Sequence, residues 1–206
     1  MTDELSVERL ERLMQYQPEA VPWTPVTPFD FESRRQIEGE HPDVLVETFG
    51  SGPYLDYGCG PDAILVRLLR ERGVMAYGID PQLRDVWRCY QPHFDPDPEE
   101  FVGTFPVVIC REVLEHCPLR KIPGVIRRML RFAPRFLYVT TRYAKNPDHV
   151  LSVDTSDDLD PTHITMLTKP FLRTLFVLEG CKSRPDLEAK MDWQNKGRVL
   201  VFEVPA

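Results

Sequence analysis

The sequence has few cysteines and no long apolar stretch. Its five cysteines include no C-x-x-C pair, which argues against a disulfide framework and against a thiolate zinc site. No apolar run approaches the roughly 18 residues that a membrane-spanning helix needs. The first 30 residues carry acids and prolines rather than the pattern of a secretion signal. We therefore expect a soluble, cytoplasmic protein with no segment in a membrane.

Positive charge is also scarce. The formal net charge is −7, which gives no support for an extended surface for nucleic acid, so we do not expect a nucleic-acid partner. A chain of 206 residues is long enough for one sizeable core. We expect one domain overall, with a helical and proline-rich elaboration over residues 1–50 and the main domain over 51–206. The oligomeric state stays open.

Short apolar runs alternate with helical stretches after residue 50. Strands are predicted at 54–56, 74–79, 105–110 and 136–140, with helices at 63–72, 81–90 and 123–132. This alternation predicts an α/β fold, a Rossmann-like doubly wound sheet that is mostly parallel. After a last helix capped by Thr168, the runs 183–193 and 198–204 predict a C-terminal antiparallel hairpin. Upstream we expect a helix at 6–16, a proline-rich arm at 18–28 and two helices over 31–49 interrupted at His41-Pro42.

A glycine-rich turn follows the first of these strands. The segment Gly58-Cys59-Gly60-Pro61-Asp62-Ala63 leads from a strand into a helix and fits the form G-x-G-x-x-[GA], which lets a backbone approach a nucleotide. Asp80 ends the next strand, where an acid suits the hydroxyls of a ribose. Both NAD and S-adenosylmethionine (SAM) satisfy this pattern.

Acidic residues in the turn discriminate between these two ligands. A pyrophosphate would lie at the helix N-terminus, where Pro61 removes one donor and Asp62 places a carboxylate. Asp56, two residues before the first glycine, adds a second negative charge. These charges repel a pyrophosphate and attract the ammonium of a methionine moiety, so the sequence favours SAM as the cofactor.

Three stretches together resemble the successive motifs of class I SAM-dependent methyltransferases: 55–60, Asp80 and 108–116. The resemblance implies that Asp56, Tyr57, Gly58, Cys59 and Gly60 hold the methionine end of SAM, that Asp80 and Pro81 lie at the ribose, and that Cys110 and Arg111 lie beside the cofactor. The chain departs from the pattern at Asp62, where a glycine is usual, and at Pro106, where an aspartate is usual. Asp95 and Asp97 are both candidates for an adenine contact.

Two histidines are candidates for the base that an alcohol acceptor requires. Methyl transfer is an in-line displacement, so an enzyme chiefly positions the acceptor and removes its proton. His116 comes after the strand at 105–110 and His163 just before the last helix, and both regions approach the carboxyl ends of the strands. Glu112 is a further catalytic candidate. His163 also fits a loop hydrogen bond, and the Glu-Val-Leu-Glu-His stretch occurs in this superfamily without a catalytic role. The leading hypothesis is O-methylation of a small-molecule or sugar (glycan) hydroxyl.

A divalent metal site is an alternative that the sequence does not favour. If 112–116 is helical, Glu112, Glu115 and His116 share one face, and with His163 they form a set that suits Mg, Mn or Zn. This set resembles the metal site of the family that methylates the terminal ribose 2′-hydroxyl of small RNAs. A non-catalytic methyltransferase-like binding module is the other alternative. N- and C-methylation stay open, as does the acceptor pocket, for which residues 23–31 and 143–165 are candidates.

Overall fold

The structure is a computed structural model that describes residues 31–60, 62–80, 104–144 and 163–205. Several predictions concern residues outside these ranges. They are the helices at 6–16 and 81–90, the proline-rich arm, most of both stretches proposed for the acceptor pocket, and Pro61, Pro81, Asp95 and Asp97. The division of the chain at residue 50 stays a prediction.

The described strands form one six-stranded sheet in the order β2-β1-β3-β4-β6-β5. The strands are β1 (Tyr54–Tyr57), β2 (Ala76–Ile79), β3 (Val107–Arg111), β4 (Phe136–Thr140), β5 (Lys182–Ser183) and β6 (Val199–Glu203). The first four are parallel, and β6 runs antiparallel to both β4 and β5. The predicted α/β fold with a mostly parallel sheet is confirmed.

Six helices accompany the sheet in the described ranges: α1 (Phe31–Glu38), α2 (His41–Phe49), α3 (Ile64–Glu71), α4 (Ile122–Leu130), α5 (Lys169–Leu178) and α6 (Pro185–Met191). The break between α1 and α2 lies just before His41, because Pro42 sits in the first turn of α2, where a missing N–H costs nothing. The hydroxyl of Thr168 accepts a 3.4 Å hydrogen bond from the N–H of Phe171, so the predicted cap of α5 is confirmed.

Helices cover both faces of the sheet. Because successive side chains of a strand point to opposite faces, neighbouring residues of each central strand enter different cores. One core joins α4 and α5 to Leu55, Val108, Leu137 and Leu200. The other joins α2, α3 and α6 to Tyr54, Ile109, Tyr138 and Val201. The doubly wound arrangement is therefore present, and the strand ends between the two layers are left for a site.

The predicted hairpin over 183–204 is wrong in its first half. Residues 185–191 form α6, so a helix joins the two-residue strand β5 to β6, although the two strands do pair antiparallel. Pro185 in the first turn, together with Asp186 and Glu188, favours a helix start. Leu187 and Met191 lie four residues apart and pack against the core, which is a helical rather than a strand spacing.

Neither a disulfide nor a membrane-spanning helix is found among the described residues. Cys59, Cys110, Cys117 and Cys181 all carry free thiols. Within the described ranges, every helix is too short and too polar to cross a lipid bilayer.

Candidate functional site

The glycine-rich turn after β1 is tied to the end of β2. The N–H groups of Gly58 and Cys59 donate to the carbonyl oxygen of Ile79 at 2.7 and 3.1 Å, and the N–H of Gly60 donates to Asp80 Oδ2 at 2.9 Å. The structure therefore brings together the turn and the acid that the sequence assigned to one cofactor. Both lie at the carboxyl ends of parallel strands, where ligands of doubly wound sheets bind.

The two glycines of the turn have different reasons for lacking a side chain. Both have left-handed φ angles, +84° at Gly58 and +70° at Gly60. A Cβ on Gly58 would lie 2.3 Å from Cγ2 of Val113, whereas a Cβ on Gly60 would meet no atom within 4 Å. Gly58 packs against the segment after β3, and open space lies beside Gly60.

Asp56 is a buried carboxylate at the end of this site. It is 5% exposed, and its Oδ1 accepts no hydrogen bond from the described residues. Burial raises the pKa of Asp56 to about 7, since the lowering effect of the Arg111 charge is smaller and Glu38 and Asp80 add to the increase. A buried acceptor without a donor fits a cationic ligand group, as the sequence predicted for the methionine end of SAM.

Arg111 connects this site to α1. Its Nη1 lies 2.9 Å from Oε2 of Glu38, and both side chains are largely buried. His41, at the start of α2, is buried against Tyr138 and Trp193, with ring centroids 5.5 and 5.9 Å away. Burial and the Arg111 charge hold the pKa of His41 well below its usual value.

Glu38 and His41 had no predicted functional role, because their proximity to Arg111 depends on tertiary packing. No local motif marks either residue.

Two other residues that were predicted to lie beside the cofactor direct their side chains into the core. Cys110 is fully buried in the core under α4 and α5, and burial raises the pKa of its thiol well above the usual value. Tyr57 packs partly against the same core. Their backbones lie at the carboxyl ends of β3 and β1, so only the main chain of Cys110 is available to a ligand there.

His116 and His163 come together, as the sequence analysis anticipated. Their ring centroids are 4.7 Å apart. His116 ends a single 3₁₀ turn, Leu114–His116, and the carbonyl oxygen of Glu115 accepts hydrogen bonds from the N–H groups of Ile164 and Thr165 at 2.9 and 3.0 Å. These two bonds hold the residues just after His163 against the turn that carries His116.

Glu115 lies beneath the histidine pair. Its side chain is fully buried; Thr141 Oγ1 donates to Oε2 at 2.8 Å, and the Arg142 N–H donates to Oε1 at 3.3 Å. Burial, and next the charge of Glu112, raise the pKa of Glu115 above its usual value. One ligand atom each from Glu115, His116 and His163 lies within 4.8 Å of the others.

Glu112 does not join this group of three. The segment from 112 to 116 is not an α-helix: Glu112 has a left-handed φ of +52°, and the short 3₁₀ turn begins only at Leu114. Its carboxylate instead pairs with Arg142 at 3.8 Å and with Arg198 at 3.7 Å. The face shared by positions i, i+3 and i+4 requires a continuous helix, so the helical arrangement considered for 112–116 is absent, and the four-residue metal set stays a prediction.

Comparison with known protein families shows which family the chain belongs to. A family described as "Methyltransferase domain" matches residues 32–182, which is well over half of the chain. The chain belongs to this methyltransferase family. The predicted membership of the class I SAM-dependent methyltransferases and the predicted class of enzyme are thereby confirmed. No curated protein sequence matches the chain significantly.

Solved methyltransferases share the fold at low sequence identity. An O-methyltransferase family protein from Burkholderia thailandensis is 18% identical, with a TM-score of 0.58, and the match covers 85% of this chain and 58% of that one. A SAM-dependent methyltransferase from Archaeoglobus fulgidus is 11% identical, with a TM-score of 0.56, over 82% and 94% of the two chains. Magnesium protoporphyrin IX methyltransferase from Synechocystis PCC 6803, solved with SAM, is 16% identical, with a TM-score of 0.53, over 84% and 80%.

Proposed function

We propose that this methyltransferase transfers the methyl group of SAM to a hydroxyl of a small molecule or sugar, and that the His116–His163 pair removes the hydroxyl proton. The observation that carries the proposal is the approach of the two imidazoles, 4.7 Å between ring centroids, beside the strand ends where the cofactor turn also lies. Two titratable rings in contact at this edge are suited to proton transfer near neutral pH.

SAM fits the other half of the site. The buried Oδ1 of Asp56 lacks a donor from the described residues and suits the ammonium of the methionine moiety. Asp80, which accepts a hydrogen bond from the N–H of Gly60, would bind the ribose hydroxyls, and the open space beside Gly60 leaves room for the ligand. Bound SAM supplies a methyl group on a positively charged sulfur, which leaves as a neutral thioether.

The chain's own residues then hold the acceptor and its proton. An imidazole nitrogen of His116 or His163 accepts the hydroxyl proton as the oxygen bonds to the methyl carbon. Glu115 positions both rings, because its carbonyl oxygen holds the backbone after His163 while its side chain is fixed by Thr141 and the Arg142 N–H. Glu112 holds Arg142 and Arg198 at the rim and is proposed to shape the acceptor side rather than to accept the proton.

Acceptor screening followed by histidine replacement tests this function. The wild-type enzyme is incubated with SAM and panels of phenols, sugars, amines and carbon acids, and release of S-adenosylhomocysteine (SAH) is measured. We expect turnover with hydroxyl acceptors. His116→Asn and His163→Asn are then compared at saturating SAM, and at least one should lower kcat by about 10² or more, since general-base catalysis contributes that much.

Binding of SAH separates a lost base from a lost fold. Both histidine variants should bind SAH within about twofold of wild type, because the proposed base acts on the acceptor hydroxyl and not on the cofactor. Turnover of amines alone, or full activity in both variants, would contradict the proposal of a histidine-assisted O-methyltransferase. Failure of the wild type to bind SAH would contradict the cofactor assignment.

Metal-assisted transfer is a second candidate, and the three converging ligand atoms of Glu115, His116 and His163 favour it. A divalent ion there would lower the pKa of a coordinated hydroxyl, so neither imidazole would need to accept the proton. Removal of metals with a chelator separates the two: activity that disappears and returns with Mg²⁺, Mn²⁺ or Zn²⁺ supports the ion, and unchanged activity supports the base. A small-RNA acceptor is disfavoured by the net charge of −7.

A further inference from the structure

The ion pair between Glu38 and Arg111 joins two parts of the chain that lie far apart in sequence. Glu38 ends α1 and Arg111 ends β3, and the pair is 2.9 Å long. The side chains are 12% and 23% exposed, so the contact is partly shielded from water. A shielded pair of this kind has a larger energetic effect than a surface ion pair.

Arg111 stands between two carboxylates. Its charge reaches Asp56 strongly enough to oppose the burial effect on that group's pKa, yet its hydrogen bond goes to Glu38. Asp56 Oδ1 receives no hydrogen bond from the described residues although it is buried. The guanidinium is therefore held by one acid beside a second acid whose acceptor atom has no donor.

Loss of the Glu38 charge would leave Arg111 without its carboxylate partner. A buried guanidinium left without its carboxylate carries a large desolvation cost and moves toward the nearest remaining acid. Asp56 is the other carboxylate whose charge acts on Arg111, and it lies opposite Ile109, two residues before Arg111 on the adjacent strand. Pairing of Asp56 with Arg111 would occupy the atom that the proposed function assigns to the ammonium of SAM.

We infer that Glu38, at the end of α1, is a positioning residue: it holds the side chain of Arg111 and thereby keeps Asp56 available to the amino group of SAM. The inference rests on the proposed SAM site. It makes the last turn of α1 part of the determinants of cofactor affinity, with its effect confined to the amino-acid end of the ligand.

Calorimetry with two ligands tests this role. SAH carries the amino-acid end, whereas 5′-methylthioadenosine has the same nucleoside without it. In Glu38→Gln, SAH should bind about tenfold more weakly or worse, and methylthioadenosine within about twofold of wild type. In the double variant Glu38→Gln/Arg111→Met, where no cation competes for Asp56, SAH affinity should return to within about threefold of wild type.

A second ion pair of α1 supplies the matched control. Arg35 on α1 pairs with Glu71 on α3 at 3.3 Å, and both of these side chains are far more exposed than that of Glu38. Glu71→Gln removes the same charge by the same change and should leave both affinities unaltered. Because the two ligands are compared within each variant, a general loss of stability lowers both and cannot imitate the expected selectivity.

Three results would overturn the inference. Equal weakening of both ligands in Glu38→Gln would make Glu38 a merely structural residue. No recovery in the double variant would exclude competition by Arg111. Selective loss of SAH binding in Arg111→Met alone would make Arg111 a ligand contact. By contrast, a wild-type protein that binds neither ligand would contradict the proposed function itself.

Discussion

Gly58 and Gly60 share a left-handed backbone but differ in their surroundings, which allows conformational strain and steric clash to be separated. Alanine at either position adopts an unfavourable φ, which costs about 1–2 kcal/mol. Only at Gly58 would the new methyl group meet a stiff β-branched neighbour, Val113, at 2.3 Å. We expect Gly58→Ala to lower the free energy of unfolding by about 1–3 kcal/mol more than Gly60→Ala in urea titrations. Equal losses would contradict the packing at Val113.

Because the pKa of Asp56 is raised, we expect the free energy of unfolding of the ligand-free protein to fall as pH rises. Its pKa is about 7 in the folded chain against 3.8 for the ordinary group, so between these values the folded state keeps a proton that the unfolded state has lost. Stability contributed by this proton is complete below about pH 4 and is lost as pH approaches about 7. Urea titrations should show a steeper decrease between about pH 5 and 7 for wild type than for Asp56→Asn. Parallel curves would contradict the raised pKa.

The same group predicts the opposite trend for cofactor binding. The ammonium of SAH requires the ionised carboxylate, so SAH affinity should rise as pH increases from about 5.5 to 7.5. In Asp56→Asn the affinity should be weak and nearly independent of pH over this window. Calorimetry in buffers of matched ionic strength measures both, and a wild-type affinity that does not change with pH would exclude Asp56 as the partner of the amino group.

At the scale of elements, the sequence predicts the structure well where a local pattern and its burial agree. β4 is found at the predicted residues 136–140, and Thr168 caps α5 as expected. The prediction fails over 183–193, where exposed polar positions concealed the helical spacing of Leu187 and Met191, which pack against the core. At Glu112 a left-handed φ interrupts the helix on which the four-residue metal-site alternative depended.

The same contrast applies to the site. Asp56 and the glycines belong to one contiguous segment at the end of β1, and Asp80 follows the neighbouring parallel strand β2, so their proximity follows from the parallel sheet. The approach of His163 to His116 depends on backbone hydrogen bonds across almost 50 residues, and the contact of Glu38 with Arg111 spans 73 residues. Contacts of this separation arise from packing that no local pattern encodes.

Glu188 is predicted to fasten α6 to α5. It is buried, accepts a hydrogen bond from Arg173 at 2.8 Å and forms an ion pair with Lys169 at 3.6 Å, and both cations lie in the first half of α5. Glu188→Ala leaves two partly buried cations without their acid and should cost about 2–4 kcal/mol of unfolding free energy. Glu47→Ala removes the exposed partner of Lys190 on the same helix and should cost less than about 1 kcal/mol. Similar losses in urea titrations would contradict the buried role of Glu188.

At the scale of the whole molecule, ligand binding at the strand ends should stabilise the entire domain. SAH at about 100 times its Kd adds about 2.7 kcal/mol, which for a domain of this size raises Tm by roughly 5–10 °C. NAD at the same concentration should leave Tm unchanged, because the acids of the turn repel a pyrophosphate. Thermal unfolding followed by circular dichroism measures both shifts, and a larger shift with NAD would reverse the cofactor assignment.

The place of β5 bears on self-association. The sheet ends on one side with a strand of only two residues, Lys182 and Ser183. The longer strand β6, buried over residues 199–202, lies inside it and pairs with β4 along its length and with β5 at Phe202 and Glu203. A short edge that carries an exposed lysine gives an incoming strand few main-chain groups to pair with and a charge to desolvate. Addition of strands from another copy, the route by which sheets grow into aggregates, is therefore obstructed at this edge.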